Sequence, residues 1–283
     1  MKEKEPSDFA TEGAEAAKRH LSVIESFFGV GRQLYEATAN QQPGDFLIQQ
    51  AHWVFGKTIM SLRAYLGFIQ SSKYYEQEGN FVFDVSSASL MGRQILEDVL
   101  AFLYLSERNL SSEEREFRAL VWKFHGTTEY VKSQEEQNPL DPVLSDVRDK
   151  GERALESLEK NSLFIALKKS DGRRYDDIKR GSQGYVVRDY EILKRHQIAR
   201  KQYDLPRRIL SNFVHFSSFS FVLMTKPERM EVPYYISILY LVRFVAEALG
   251  AFIETFPESA RVLSKDGRDL IVSFRAQLRS QPV

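Results

Sequence analysis

The fold of this chain is decided by the stretch Val85-Ser-Ser-Ala-Ser-Leu-Met-Gly-Arg-Gln-Ile-Leu-Glu-Asp-Val-Leu-Ala-Phe-Leu-Tyr-Leu-Ser106. Its apolar residues recur three and four positions apart, which is the spacing of an α-helix. They also cover most of the circumference of that helix, a pattern typical of a helix that is buried on nearly all sides. The stretch therefore predicts a long helix in the core of the protein.

The same helical spacing continues along most of the 283 residues, and few alternating runs of the kind that form strands occur. We therefore predict an all-α protein, built as an extended multi-helix bundle. No clear linker divides the chain, so residues 1–283 are expected to form a single all-helical domain. Within it, residues 1–7 are predicted to be disordered. Residues 170–187 are predicted to be an exposed loop, because they contain three glycines among charged residues.

Helix ends are predicted from capping residues, glycines and prolines. The first helix should follow Ser7 and should kink or break at Gly29 and Gly31. A later helix should begin at Ser111, because Glu114 lies three residues further on and completes a capping box. Other helices are expected over residues 143–160, 189–203 and 265–279 and after Leu205.

The composition excludes several classes of function. The chain has no cysteine, so disulfides, cysteine-ligated zinc and thiol catalysis are excluded. Its histidines and carboxylates lack the spacings of helical metal sites, and no nucleotide-binding glycine motif occurs, so neither a metal nor a cofactor is predicted. The N-terminus lacks the apolar core of a signal peptide, and the apolar run from Val232 to Phe256 carries charges that are costly in lipid. We therefore expect a cytoplasmic protein without a membrane span.

Positive charge is concentrated in one part of a chain that is neutral overall. Residues Lys168 to Arg208 contain thirteen basic and six acidic residues, a net charge of +7, with tyrosines interspersed. Such a stretch could track the phosphates of RNA and stack its bases. The alternative is a solvated helix face that acidic helices elsewhere offset. Under the RNA interpretation, the candidate substrate-binding residues are Arg200, Lys201, Tyr203 and Arg207.

The end of this basic stretch places three polar groups on one stripe of a helix. In Leu205-Pro-Arg-Arg-Ile-Leu-Ser-Asn-Phe-Val-His215, Asn212 lies about 40° and His215 about 20° around the helix from Arg208. A titratable imidazole beside a fixed cation is suited to proton transfer on an anionic substrate. Arg208, Asn212 and His215 are therefore the candidate catalytic residues.

The pair Arg208-x6-His215 resembles the R-x4-6-H signature of the HEPN superfamily, helical bundles that include metal-independent ribonucleases of bacterial toxin and antiviral systems. The resemblance implies a homodimer in which His215 takes the ribose 2′-hydroxyl proton and Arg208 stabilises charge on the phosphate. It also implies that Asn212 orients one of these two groups. The family usually has a polar residue directly after the arginine, where this chain has Ile209.

The chain is also similar to an uncharacterised bacterial all-helical family with an R-x-x-x-E helix and an S-x-x-x-H segment. Here Arg93 and Glu97 would form the first motif, and Ser211 to His215 the second. Arg243 and Glu247 repeat the four-residue spacing of the first motif. Either the two pairs form ion pairs in the core, or Glu97, Arg243 and His215 converge on a polar pocket.

These observations lead to two hypotheses about function. The first is a HEPN-like homodimer that binds RNA and cleaves it without metal through Arg208 and His215. The second comes from another class of protein, a non-catalytic helical interaction or scaffold protein in which His215 and both Arg/Glu pairs are structural.

Overall fold

The computed structural model describes residues 6–41, 43–77, 85–138, 140–214 and 227–280. Within these residues the chain forms eleven α-helices and one 3-10 helix, and no strand. The helices are α1 (Pro6–Thr38), α2 (Phe46–Gln77), α3 (Val85–Leu105), α4 (Ser112–Gln137), α5 (Leu144–Lys160), α6 (Ser162–Ser170), α7 (Gly172–Lys179), α8 (Asp189–Arg195), α9 (Arg200–Val214), α10 (Pro227–Thr255), the 3-10 helix (Pro257–Val262) and α11 (Lys265–Arg279). The predicted all-α, multi-helix fold is confirmed.

The chain is organised as two compact units. The first unit comprises Met1–Gly44, Ile48–Ser106 and Tyr190–Val283, and the second comprises Asp45–Leu47 and Glu107–Asp189. The predicted disorder of residues 1–7 falls on residues 1–5, which lie outside the described residues, while α1 already begins at Pro6. No helix of the described part is both long and apolar enough to cross a membrane.

Helices α3 and α10 form the centre of the first unit. Residues 99–105 of α3 are all buried, as the apolar circumference of this helix predicts. Helix α10 packs against α1, α3, α9 and α11. The ring of Phe252 on α10 stacks on Phe55 of α2 with the ring centroids 3.9 Å apart, and Phe102 of α3 lies 5.4 Å from Phe55. These aromatic contacts join three helices in one core.

Helix α1 runs without interruption through Gly29 and Gly31, so the predicted break does not occur. Gly31 instead permits close packing, because a Cβ atom at this position would overlap Ile59 of α2 and press on Leu249 of α10. Gly56 of α2 has the same role toward the ring of Tyr35. Gly31 and Gly56 therefore serve the close approach of neighbouring helices.

The second unit is formed by α4 to α7, with α5 packed along α4. Helix α4 begins as predicted, because the Ser111 hydroxyl accepts a hydrogen bond from the Glu114 N–H at 3.1 Å. Arg118 of the same helix is fully buried, and its guanidinium donates to Glu107 at 2.9 Å and to Glu114 at 2.8 Å. The two carboxylates offset the cost of burying this charge.

The prediction of an exposed loop over residues 170–187 needs correction. Residues Gly172–Lys179 form helix α7, whose first turn is capped by the Asp171 carboxylate and whose Ile178 is fully buried. The loop that follows is partly buried, because the carbonyl of Gly181 lies 2.7 Å from the His125 Nδ1 atom and Val186 is 8% exposed. The Asp171 cap and the burial of Ile178 thus stabilise a helix in a segment whose glycines and charged residues suggested a loop.

We expect Gly181→Ala to lower the free energy of unfolding of the second unit by about 1–3 kcal/mol. Gly181 has a φ of +68°, and a Cβ there would come within 2.7 Å of the Cβ of Thr128. The matched control is Gly172→Ala, because a Cβ at Gly172 meets nothing within 4 Å. Urea unfolding of both variants tests this, and equal stability of the two would contradict the strain assigned to Gly181.

Candidate nucleic-acid interface

Helix α9 carries the candidate site, and it begins earlier than the sequence predicts. The expected helix over residues 189–203 is divided, since α8 ends at Arg195 and α9 begins at Arg200. Between them Gln197 adopts a left-handed φ of 59°, which ends the first helix. Pro206, expected near a helix start, lies inside α9. The seven residues from Arg200 to Pro206 therefore extend the polar stripe that leads to Arg208.

One face of α9 borders a cleft of about 900 Å³ in the first unit. Arg200, Asp204, Arg208 and Ser211 follow one another at helical spacing along this face. Further lining side chains come from α3 and α10. The complete lining is Arg93, Arg200, Lys201, Asp204, Leu205, Arg207, Arg208, Ser211 and Tyr240. The cleft falls within the range of about 300–1,000 Å³ that is typical of ligand sites.

The charge of this cleft is strongly positive. Its lining contains five basic residues and one acidic residue, Asp204. Asp204 pairs with Arg200 at 2.7 Å, and Arg93 pairs with Glu97 of its own helix at 2.9 Å. The remaining cations of the lining form no ion pair within the described part of the chain. They are Lys201, Arg207 and Arg208.

In the second unit, three cations of the basic stretch have acidic partners. Lys179 binds Glu159 at 3.1 Å. Arg180 binds Asp177 at 2.6 Å, and Arg188 binds Asp171 at 3.0 Å. For these three cations the alternative of a solvated helix face offset by acidic residues applies.

Two other predicted site residues, Tyr203 and Asn212, are not among the residues that line the cleft. Tyr203 is 1% exposed, and its ring packs edge-on against Phe244 with the centroids 5.8 Å apart, so it cannot stack on a base. Asn212 is half-buried on α9 and is not among the lining residues. His215 lies outside the described residues, so its position relative to Arg208 remains a prediction.

The two Arg/Glu pairs behave differently. Arg93 and Glu97 form the expected ion pair within one helix. Arg243 instead lies over the ring of Tyr240, with the guanidinium carbon 5.6 Å from the ring centroid. The Nε atom of Arg243 is buried and has no hydrogen-bond partner among the described residues. Glu247 belongs to a separate cluster of ion pairs, further toward the C-terminal end of α10.

This cluster joins α10 to α11. The fully buried carboxylate of Glu247 accepts hydrogen bonds from Arg275 at 3.1 and 3.2 Å and from Arg279 at 2.5 and 3.0 Å. The His196 Nδ1 atom lies 3.9 Å from the same carboxylate. Burial alone would raise the pKa of Glu247, but the hydrogen bonds and charges of Arg275 and then Arg279 outweigh it and hold that pKa below its usual range.

Sequence reasoning missed two parts of this arrangement. The first is Tyr240, an aromatic residue that lines the cleft. It lies three residues before Arg243 on α10, and this spacing brings the two side chains together. The spacing was the sequence signal that could have indicated this residue. The partners of Glu247 lie 28 and 32 residues away, and no local pattern indicates them. Among the described residues, no group of histidine and acidic side chains is arranged to hold a metal ion.

No protein-family model, curated protein or solved structure matches the chain.

Proposed function

We propose that the α9 cleft binds RNA, mainly through its phosphates. The observation that carries this proposal is the set of three cations on one face of α9, Lys201, Arg207 and Arg208, which have no acidic partner in the described structure and border a cleft of about 900 Å³. Arginine forks and lysine ammonium groups are the usual phosphate ligands of proteins. The likeness to the HEPN superfamily supports RNA as the polyanion.

The distribution of charge supports this cleft over the remainder of the basic stretch. A cation that is already paired with a carboxylate must give up that partner before it binds a phosphate, which reduces the net gain. Lys201 and Arg208 have no such partner among the described residues. They should therefore contribute more to RNA binding than Lys179 and Arg180, which are paired.

We expect the double variant Lys201→Gln/Arg208→Gln to bind a labelled RNA at least about a hundredfold more weakly than the wild type, because two charged hydrogen bonds of about 1.5 kcal/mol or more each are lost. The slope of log K against log salt should fall by about 1.4, since each contact to a single strand contributes about 0.7. Fluorescence anisotropy over a series of salt concentrations measures both quantities.

The matched control is Lys179→Gln/Arg180→Gln, which removes the same charge from the second unit. It should bind RNA nearly as tightly as the wild type. Equal weakening by both double variants would contradict a specific role of the cleft and indicate non-specific attraction by the whole basic stretch. A folded wild type that binds no RNA would reject the proposal and favour the interaction or scaffold protein.

A further inference from the structure

Tyr240 contributes an aromatic side chain to the lining of the basic cleft. It belongs to α10 and is the aromatic side chain among the described residues of the lining. The guanidinium of Arg243 lies over the ring, 5.6 Å from its centroid. A cation over one face holds the ring by a cation–π interaction, and the half-buried ring lines the cleft. Such a ring beside phosphate-binding cations is the arrangement that holds single-stranded nucleic acids.

A second tyrosine lies beside Arg200, at the start of α9. Tyr190 is 42% exposed, and the guanidinium of Arg200, a lining residue of the cleft, is 5.9 Å from its ring centroid. The stripe from Arg200 to Ser211 is about 16 Å long at 1.5 Å per residue. At about 3.4 Å per stacked nucleotide, this length accommodates several nucleotides of one strand.

We propose that the cleft selects single-stranded over double-stranded RNA, with one base stacked on Tyr240; this inference rests on the proposed RNA binding. The bases of a duplex are already stacked on one another, so a protein ring gains a base only from an unpaired strand. Phosphates are present in both forms. Lys201 and Arg208 therefore supply affinity for either form, whereas Tyr240 supplies the preference for the single strand.

The test compares one RNA sequence as a single strand, as a duplex, and as a single strand with abasic sites, each titrated against the purified full chain. The wild type should bind the intact single strand about five- to a hundredfold more tightly than the abasic strand, the range of one base–aromatic stack. Tyr240→Leu should lose most of this preference. Tyr240→Phe should keep it, because the ring is retained.

Tyr130→Leu is the matched control, since Tyr130 is an exposed tyrosine of the second unit and should not affect the preference. The abasic strand tests stacking without any change in the protein, so the result does not depend on how well Tyr240→Leu folds. Equal binding of the intact, abasic and duplex forms by the wild type would overturn the inference while leaving RNA binding intact. Absence of all binding would reject the proposed function and this inference together.

Discussion

Glu247→Gln is expected to lower the free energy of unfolding of the first unit by about 3 kcal/mol, the lower end of the range of about 3–5 kcal/mol for breaking a buried ion pair. The substitution leaves the cations of Arg275 and Arg279 beside a neutral amide. Glu254 still binds Arg275 at 2.6 Å, which is why the lower end applies. Urea unfolding, followed by circular dichroism, measures the change.

The matched control for this prediction is Glu36→Gln on α1. Glu36 pairs with Arg32 at 3.7 Å, and both side chains are more than half exposed. Removal of such a surface pair should leave stability unchanged within error. Equal stability of the two variants would contradict the assignment of Glu247 as the ionic anchor of α11.

The contribution of Glu247 to the free energy of unfolding should also depend on pH, and it should decrease as the pH falls. The pKa of this carboxyl is lower in the folded chain than its usual value, so the unfolded chain binds the proton first as the pH falls. The stabilisation is therefore complete above the unfolded pKa of about 4.3 and is lost as the pH falls through the folded value. The difference in the free energy of unfolding between the wild type and Glu247→Gln should be constant from about pH 7 to pH 5. It should become smaller below about pH 4.

Under the hypothesis of a HEPN-like ribonuclease, His215→Ala is expected to slow RNA cleavage about 10²- to 10⁴-fold, the usual contribution of a general base. In the proposed step the imidazole takes the 2′-hydroxyl proton, and the 2′-oxygen attacks the adjacent phosphorus. The 5′-oxygen of the next nucleotide then leaves and takes up a proton from water, so the products carry 2′,3′-cyclic phosphate and 5′-hydroxyl ends. Arg208, which lines the cleft, would stabilise the charge on the phosphate.

Incubation of the purified chain with mixed RNA in the presence of a chelator, followed by analysis of the ends, measures this reaction. His215→Ala should keep its affinity for RNA, because the phosphate-binding cations are unchanged. The same loss of binding and cleavage in this variant would contradict a role of His215 in proton transfer. Binding without cleavage by the wild type would reject the catalytic role and leave the RNA-binding proposal in place.

Most of the fold could be predicted because its signals are local. The apolar circumference of α3 predicts a buried helix without knowledge of its neighbours, and the hydroxyl of Ser111 caps α4 from within the same turn. Helix α7 was missed because Gly172 and its charged neighbours resemble a loop, while burial of Ile178 depends on the tertiary structure. The uninterrupted course of α1 through Gly31 depends likewise on Ile59, a residue of another helix.

The candidate site was predictable to the extent that it follows the geometry of one helix. The stripe of α9 cations follows from a period of 3.6 residues, whereas Tyr203 lies about 140° around the helix from Arg208 and faces the core. Tyr203 was predicted to bind RNA because it is a tyrosine within the basic stretch, and its angular position around the helix was not used. Tyr240 enters the cleft from α10, about thirty residues along the chain, and only the packing of α9 against α10 brings it there.

Ultraviolet cross-linking of the wild-type chain to RNA, followed by mass spectrometry of the digested peptides, tests the central claim most directly. It locates the bound RNA without altering any residue. Cross-linked peptides are expected from residues 200–211 of α9 and from the part of α10 that contains Tyr240. Cross-links confined to residues 107–189 of the second unit would contradict the assignment of the α9 cleft as the RNA-binding site.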